Sequence, residues 1–266
     1  MSKRTVFFDL FDTLVRVDRG YLEPYFDRET DRLGDNGTLK NAGMTIDRLT
    51  DMHPQLLEKY TKEEMCQYYR DCMTKSLINV DQNVLDMLAE LKENGYGLCV
   101  ISDAAYLDIE SWDQSQLSQY FDQTAFSCEI GFVKPDPRLF ETAKEMMGNP
   151  IECVFAGDGG HDELIGAHHT NMQTIKAEWI KNRRVEELYK EADYRIQETE
   201  KVAETVREMD FSMNRNVEID LLNLNDVVDK SEIDIDFIGQ QLSDSVDFED
   251  VIDIEFENDE HDIGIV

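Results

Sequence analysis

Residues 5–16 read TVFFDLFDTLVR. The segment TVFFDLF is short, rich in β-branched and aromatic residues, and gives way to polar ones, which predicts a buried strand. Asp9 and Asp12 stand at its end, with Phe11 between them. A carboxylate at the mouth of a buried strand costs free energy unless it has a partner or a task. What the rest of the chain brings to this point therefore decides both fold and function.

Beyond residue 80, helical and strand patterns alternate. VDQNVLDMLAELKENGYGLCVISDAA (80–105) lines Val84, Leu85, Leu88 and Leu91 along one helical face. Asn94-Gly95 ends that helix, and GLCVIS is a second buried strand. YLDIESWDQSQLSQYF is expected to be helical and TAFSCEIGF strand-like. DPRLFETAKEMMG is a helix opened by Pro135 and Pro137. IECVFAGD is a strand, DELIGAHHT a short helix and QTIKAEW a further strand. RRVEELYKEA and EKVAETVREM are helical, with DYRI between them as a short edge strand. This order predicts an α/β fold, a parallel sheet with helices on both faces.

Residues 19–80 depart from the pattern. YLEPYFDRETDRL, TIDRLTDMHPQLLEKY and KEEMCQYYRDCMTKSLI carry apolar residues at helical spacing, such as Met65, Tyr69, Cys72 and Met73. They predict a small helical bundle inserted after the first strand. The expected organisation is a core of residues 1–18 and 81–210, an insert of residues 19–80, and a tail of residues 211–266.

Charge sets the tail apart. The 266-residue chain has a formal net charge of −32, which argues against nucleic acid and anionic membrane as partners, since both are polyanions. Residues 211–266 hold 17 acidic and 2 basic side chains. Stretches such as EIDIDFIG and VDFEDVIDIEFENDE alternate apolar and acidic residues. The expectation is a tail disordered when free, either solubilising or able to dock on a basic protein partner by strand addition. Five cysteines, an odd number with no CxxC pair, suggest neither a disulfide framework nor a zinc site. With no signal-peptide or membrane-spanning stretch, the default expectation is a soluble cytoplasmic protein.

In parallel sheets of this kind, functional residues collect at the carboxyl ends of strands. Those ends yield Asp9 and Asp12, then Ser102 and Asp103, then Lys134 in IGFVKPDP, then Asp158 in VFAGDGGHDE. Carboxylates, a hydroxyl and an amine are what a phosphate site requires. An anionic nucleophile approaches a phosphate dianion only when the repulsion is neutralised, and a hard divalent cation on two carboxylates does part of that.

These four segments, in this order and spacing, resemble the motifs of the haloacid dehalogenase superfamily, as does the closing EADYRIQETEKVAETV. The resemblance covers about 210 residues. It implies a Rossmann-like core with a helical cap inserted after the first motif. It further implies Asp9 as a covalent nucleophile, Ser102, Asp103 and Lys134 as phosphoryl-binding residues, and Lys134 paired with Asp9. Mg²⁺ would be held by Asp9, the backbone carbonyl of Phe11, Asp158 and a second acid, Glu163 or Asp162, with register favouring Glu163. The implied activity is a phosphatase acting on a small-molecule phosphate.

One position breaks the pattern. The family's phosphatases usually carry an aspartate where this chain has Phe11, and that aspartate handles the proton of the leaving group. Loss of such help typically costs about 10²–10⁴ in rate. Asp12 or a residue of the insert would have to substitute. The alternatives are a dehalogenase-like hydrolase, whose leaving group needs no proton, and a weakly active interaction protein that works through its tail. Gly157-Asp158 and the acids after it favour the metal-binding, phosphatase form.

Overall fold

The computed structural model describes residues 4–25, 42–180 and 192–212. The chain divides into two units, residues 1–215 and 216–266, and every described residue lies in the first. The helix expected in RRVEELYKEA, the first part of the insert beyond Tyr25, and nearly all of the acidic tail lie outside the described residues.

Six strands form one sheet: β1 (Thr5–Phe8), β2 (Gly97–Ser102), β3 (Gln123–Phe126), β4 (Cys153–Gly157), β5 (Gln173–Ala177) and β6 (Tyr194–Ile196). Their order is β3-β2-β1-β4-β5-β6 and every pairing is parallel. The helices are α1 (Ala42–Met52), α2 (Lys62–Ile78), α3 (Gln82–Glu93), α4 (Tyr106–Ile109), α5 (Ser127–Ile130), α6 (Pro137–Met146), α7 (Glu163–His169) and α8 (Val202–Glu208). This is the Rossmann-like α/β architecture that the alternation predicted.

Successive residues of a strand face opposite sides, and the central strands have an apolar layer on each. Val6, Phe8, Leu98, Val100, Val154 and Ala156 pack with α3 and α8. Phe7, Cys99, Ile101, Cys153 and Phe155 pack with α6 and α7. Burial on both faces explains why β1 is a continuous apolar run without polar alternation. Arg4 anchors the outer edge of the first layer. Its guanidinium donates to Glu152 and to the carbonyl of Val206 near the end of α8, and lies over the Phe211 ring. Phe211 is buried, so the apolar core runs on just past residue 210, where the charge count begins the tail.

Two local expectations are corrected. TAFSCEIGF is a strand only to Phe126, and α5 follows at once. The Ser127 hydroxyl accepts from the Ala104 backbone N–H at 3.0 Å, drawing the chain back over the end of β2. YLDIESWDQSQLSQYF is not one helix. It is α4 followed by two 3₁₀ turns, Trp112–Gln114 and Gln116–Gln119. Ser115 caps the second turn, accepting from Leu117 N–H at 3.2 Å, and serines that bond nearby backbone compete with helix.

The inserted segment builds its own apolar cluster. Leu22, Ile46, Leu49, Leu56, Met65, Tyr69 and Met73 pack together with Leu107 of α4. A capping box opens α2: Thr61 Oγ1 accepts from Glu64 N–H at 3.2 Å, and the Glu64 carboxylate accepts from Thr61 N–H at 2.8 Å. Phe11 packs against this cluster and against the sheet layer beneath. Among the described residues no helix is long and apolar enough to cross a membrane.

Candidate active site

The chain winds from β1 outward to β2 and β3, then crosses to β4 on the other side of β1. The carboxyl ends of β1 and β4 therefore flank the point where the winding reverses, the usual place for a site in such a sheet. Asp9 follows β1, Ser102 ends β2 with Asp103 next, and Asp158 follows β4. Glu163 opens α7, and Lys134 lies in the loop between α5 and α6.

Four of these side chains converge. Lys134 Nζ donates to Asp9 Oδ1 and to Glu163 Oε2, both at 2.6 Å. Ligand oxygens of Asp9, Asp158 and Glu163 lie within 4.8 Å of one another. All four side chains are buried. The loop after β4 is wound around its own acids: Gly159 N–H donates to Glu163 Oε1 at 2.8 Å, and Gly160 N–H to Asp158 Oδ1 at 2.9 Å. A Cβ at Gly157 would run into the Glu163 carboxylate, so glycine there lets that side chain lie across the strand end.

Other candidates sit around this cluster. Ser102 is buried at the same end of the sheet. Asp103 Oδ1 accepts from the Lys134 backbone N–H at 2.9 Å, which ties the lysine loop to the end of β2. Asp12 is half-buried in the left-handed region at φ 60°, and its Oδ1 accepts from Val17 N–H at 3.2 Å. Asp162 also has positive φ, 55°, and occupies the N-cap position of α7 outside the three-carboxylate group. Glu163, and not Asp162, is thus the second acid that joins Asp9 and Asp158. Phe11 is half-buried, with its ring packed against the sheet layer and the cluster of the segment after it.

Electrostatics follow from this crowding. Burial raises the pKa of Asp9; Lys134 opposes the rise and Asp158 adds to it. Glu163 is pushed well above the usual carboxylate range by burial, again against Lys134. Burial works against the charge on Lys134, but Asp9 and Glu163 outweigh it and hold the ammonium protonated. Burial also lifts Asp12, to about 6. Three carboxylates with one ammonium leave a net negative charge that low-dielectric surroundings disfavour. A hard divalent cation would restore balance, and the all-oxygen donor set suits Mg²⁺.

Two supports were not legible from sequence. Thr13 Oγ1 accepts from the Asp158 backbone N–H at 3.0 Å, and Trp179 Nε1 donates to the Thr13 carbonyl at 2.7 Å. Thr13 sits four residues past Asp9, and that spacing is the one available signal. Nothing in the sequence around Trp179 points to its role.

The sheet, its switch point and the buried carboxylate–lysine cluster define the class: a hydrolase on a Rossmann-like core. More particularly, the chain belongs to the haloacid dehalogenase-like hydrolase family, whose model matches residues 3–170. It is 25% identical over 202 residues to the pyrophosphatase PpaX of Bacillus cereus, covering 71% of this chain and 90% of that protein. It is 33% identical over 104 residues to a glyceraldehyde 3-phosphate phosphatase of Methanothermobacter thermautotrophicus, spanning 38% of this chain and less than half, 45%, of that relative. Among solved structures, the L-2-haloacid dehalogenase of Xanthobacter autotrophicus superposes with a TM-score of 0.58 at 14% identity, covering 78% of this chain and 100% of that one. At that identity the likeness speaks for the fold alone.

Proposed function

We propose that the protein is a Mg²⁺-dependent phosphatase acting on a small phosphomonoester through an aspartyl-phosphate on Asp9. The observation that carries this reading is the buried group of Asp9, Asp158 and Glu163 around Lys134. The relatives named as phosphatases agree with it. Asp9, Asp158, Glu163 and the Phe11 carbonyl would hold the ion, which when bound offsets the negative charge of substrate and carboxylates.

Asp9 attacks phosphorus, and the bond from phosphorus to the ester oxygen breaks as the new one forms, the departing oxygen taking a proton from water, Asp12 or a residue of the insert. Lys134 and the Ser102 hydroxyl balance charge on the phosphoryl oxygens. Water then attacks the aspartyl-phosphate, releasing orthophosphate and restoring Asp9. The proposal treats residues 19–80 as a cap that closes over the site and selects substrate. The proposal includes a reducing, cytoplasmic setting, on the odd number of cysteines without a CxxC pair.

Phe11 favours a second reading, a dehalogenase-like hydrolase, because halide departs without a proton. Asp158 and Glu163 weigh against it, since with Asp9 they form an all-oxygen group suited to a divalent cation, which halide release does not call for. The test is turnover of an aryl phosphate, an alkyl phosphate and a 2-haloacid, with Mg²⁺ and with chelator, beside Asp9→Asn. Metal-dependent phosphate release that Asp9→Asn abolishes is expected. Phosphate release that survives Asp9→Asn would sink the mechanism, and metal-independent halide release would install the second reading. Tail binding to a basic protein, with no turnover of any substrate, would favour the interaction role.

A further inference from the structure

We propose that His161 contacts the leaving group of the substrate, supplying the polar side chain that Phe11 does not, on an imidazole mounted by Asp103. The inference rests on the phosphatase reading and adds to it the residue that meets the departing oxygen.

His161 lies in the loop between Asp158 and Glu163, two of the three carboxylates that converge on the site. Hydrogen bonds from Gly159 and Gly160 to those same acids fasten the loop at both ends. Within it, His161 and Asp162 are consecutive non-glycine residues in the left-handed region, at φ 52° and 55°. Such backbone is costly and persists where the surroundings hold it, most often at functional positions.

The side chain is equally directed. His161 Nδ1 lies 3.3 Å from Asp103 Oδ2. Asp103 follows Ser102, its side chain is 3% exposed, and its other oxygen is held by the Lys134 backbone N–H. Oδ2 is buried, and His161 Nδ1 faces it at ion-pair distance without hydrogen-bond geometry. A buried acceptor of this kind favours the tautomer that turns an N–H toward it. The imidazole's other nitrogen is then on the far side of the ring from Asp103. The His161 side chain is 32% exposed, whereas Lys134 and Glu163 are nearly solvent-free. It is therefore the more accessible side chain beside the cluster, and the proposal places there the ester group of a phosphoryl group bound at Asp9. Charge develops on the ester oxygen as its bond to phosphorus breaks, and a hydrogen bond from a fixed ring is stronger in that state than in the ground state. The role is a contact, and no proton transfer is assigned.

The test has a binding arm and a turnover arm. In the Asp9→Asn background with Mg²⁺, calorimetry compares an alkyl phosphate with inorganic phosphate, which has no leaving group. Adding His161→Phe is expected to weaken the alkyl phosphate about tenfold and inorganic phosphate less than about twofold. His161→Gln, which keeps an amide near the outer nitrogen, is expected to recover most of the loss. Asp103→Asn, at a residue of the phosphoryl-binding end of the sheet, is expected to weaken both ligands and to weaken the alkyl phosphate more. With Asp9 intact, His161→Phe is expected to lower kcat/KM for the alkyl phosphate by about tenfold and for an aryl phosphate by less than about threefold. Equal loss on both ligands, no loss on either, or failure of His161→Gln to differ from His161→Phe would overturn the inference. Selective loss in the binding arm, with Asp9→Asn still turning over, would overturn the mechanism but leave the contact standing. Absence of phosphate binding would overturn both.

Discussion

Asp12 shows how one side chain can be read two ways. Its carboxyl is lifted to about 6 by burial, against a hydrogen bond from Val17 N–H. The folded state thus holds this proton more tightly than the unfolded chain, whose value is near 3.8. Stability should fall as pH rises through that window, and the ionised carboxylate costs the fold on the order of 3 kcal/mol at neutral pH. Asparagine tolerates φ 60° and keeps an oxygen for Val17 N–H. Asp12→Asn is therefore expected to raise the melting temperature above about pH 6 and to change little near pH 3.5, measured with chelator present. A lowered melting temperature at neutral pH would mean that the carboxylate is held by partners stronger than its burial. The residues most legible in sequence, Asp9, Lys134 and Asp158, each follow an apolar strand run or stand in a distinctive local motif. Thr13 and His161 lie inside the motif segments that carry Asp9 and Asp158 but have no task assigned by local pattern, and Trp179 lies in no motif. Thr13 meets Asp158 across 145 residues, and Trp179 meets Thr13 across 166. Contacts over such separations leave no periodicity to read.

Among the elements, those with a complete local signal were read well. The helix α2 has its capping box, α3 its apolar face and closing glycine, and the central strands their uninterrupted apolar runs. TAFSCEIGF was misread because Ser127 bonds across to Ala104, a contact that ends β3 early and that propensity does not encode. The segment after α4 was misread because serine hydroxyls satisfy the backbone locally. Two threonines separate what holds an element from what holds the site. Thr61 caps α2 far along the insert, while Thr13 braces the Asp158 backbone. Thr61→Ala should cost about 1 kcal/mol and leave kcat unchanged. Thr13→Val leaves a buried N–H without its acceptor and should cost about 1–3 kcal/mol. It should also slow turnover and raise the Mg²⁺ requirement. Denaturant titration and steady-state kinetics on both variants check the contrast, and equal kinetic effects would refute it.

Over the whole molecule, a net charge of −32 opposes compaction through self-repulsion. Sodium chloride should therefore raise the melting temperature by screening. Mg²⁺ at matched ionic strength should raise it further, by adding about 2.7 kcal/mol of stability at a hundredfold excess over its dissociation constant. Asp158→Asn should retain the first increment and lose the second; thermal scans of both proteins in the two salts separate them, and equal effects of the two salts on the wild-type protein would deny a specific ion site. The bond from Trp179 to Thr13 gives a way to watch that event. The chain has only two tryptophans. Trp112 is packed among Phe121 and Phe126, on the β3 side of the sheet. Trp179 is one hydrogen bond from the threonine that steadies Asp158. In a Trp112→Phe variant the remaining indole becomes a single built-in fluorophore, wired by two hydrogen bonds to the candidate active site. Its emission should shift when Mg²⁺ and phosphate bind and stay still in the Thr13→Val background, giving an optical titration that needs no label and no knowledge of the natural substrate.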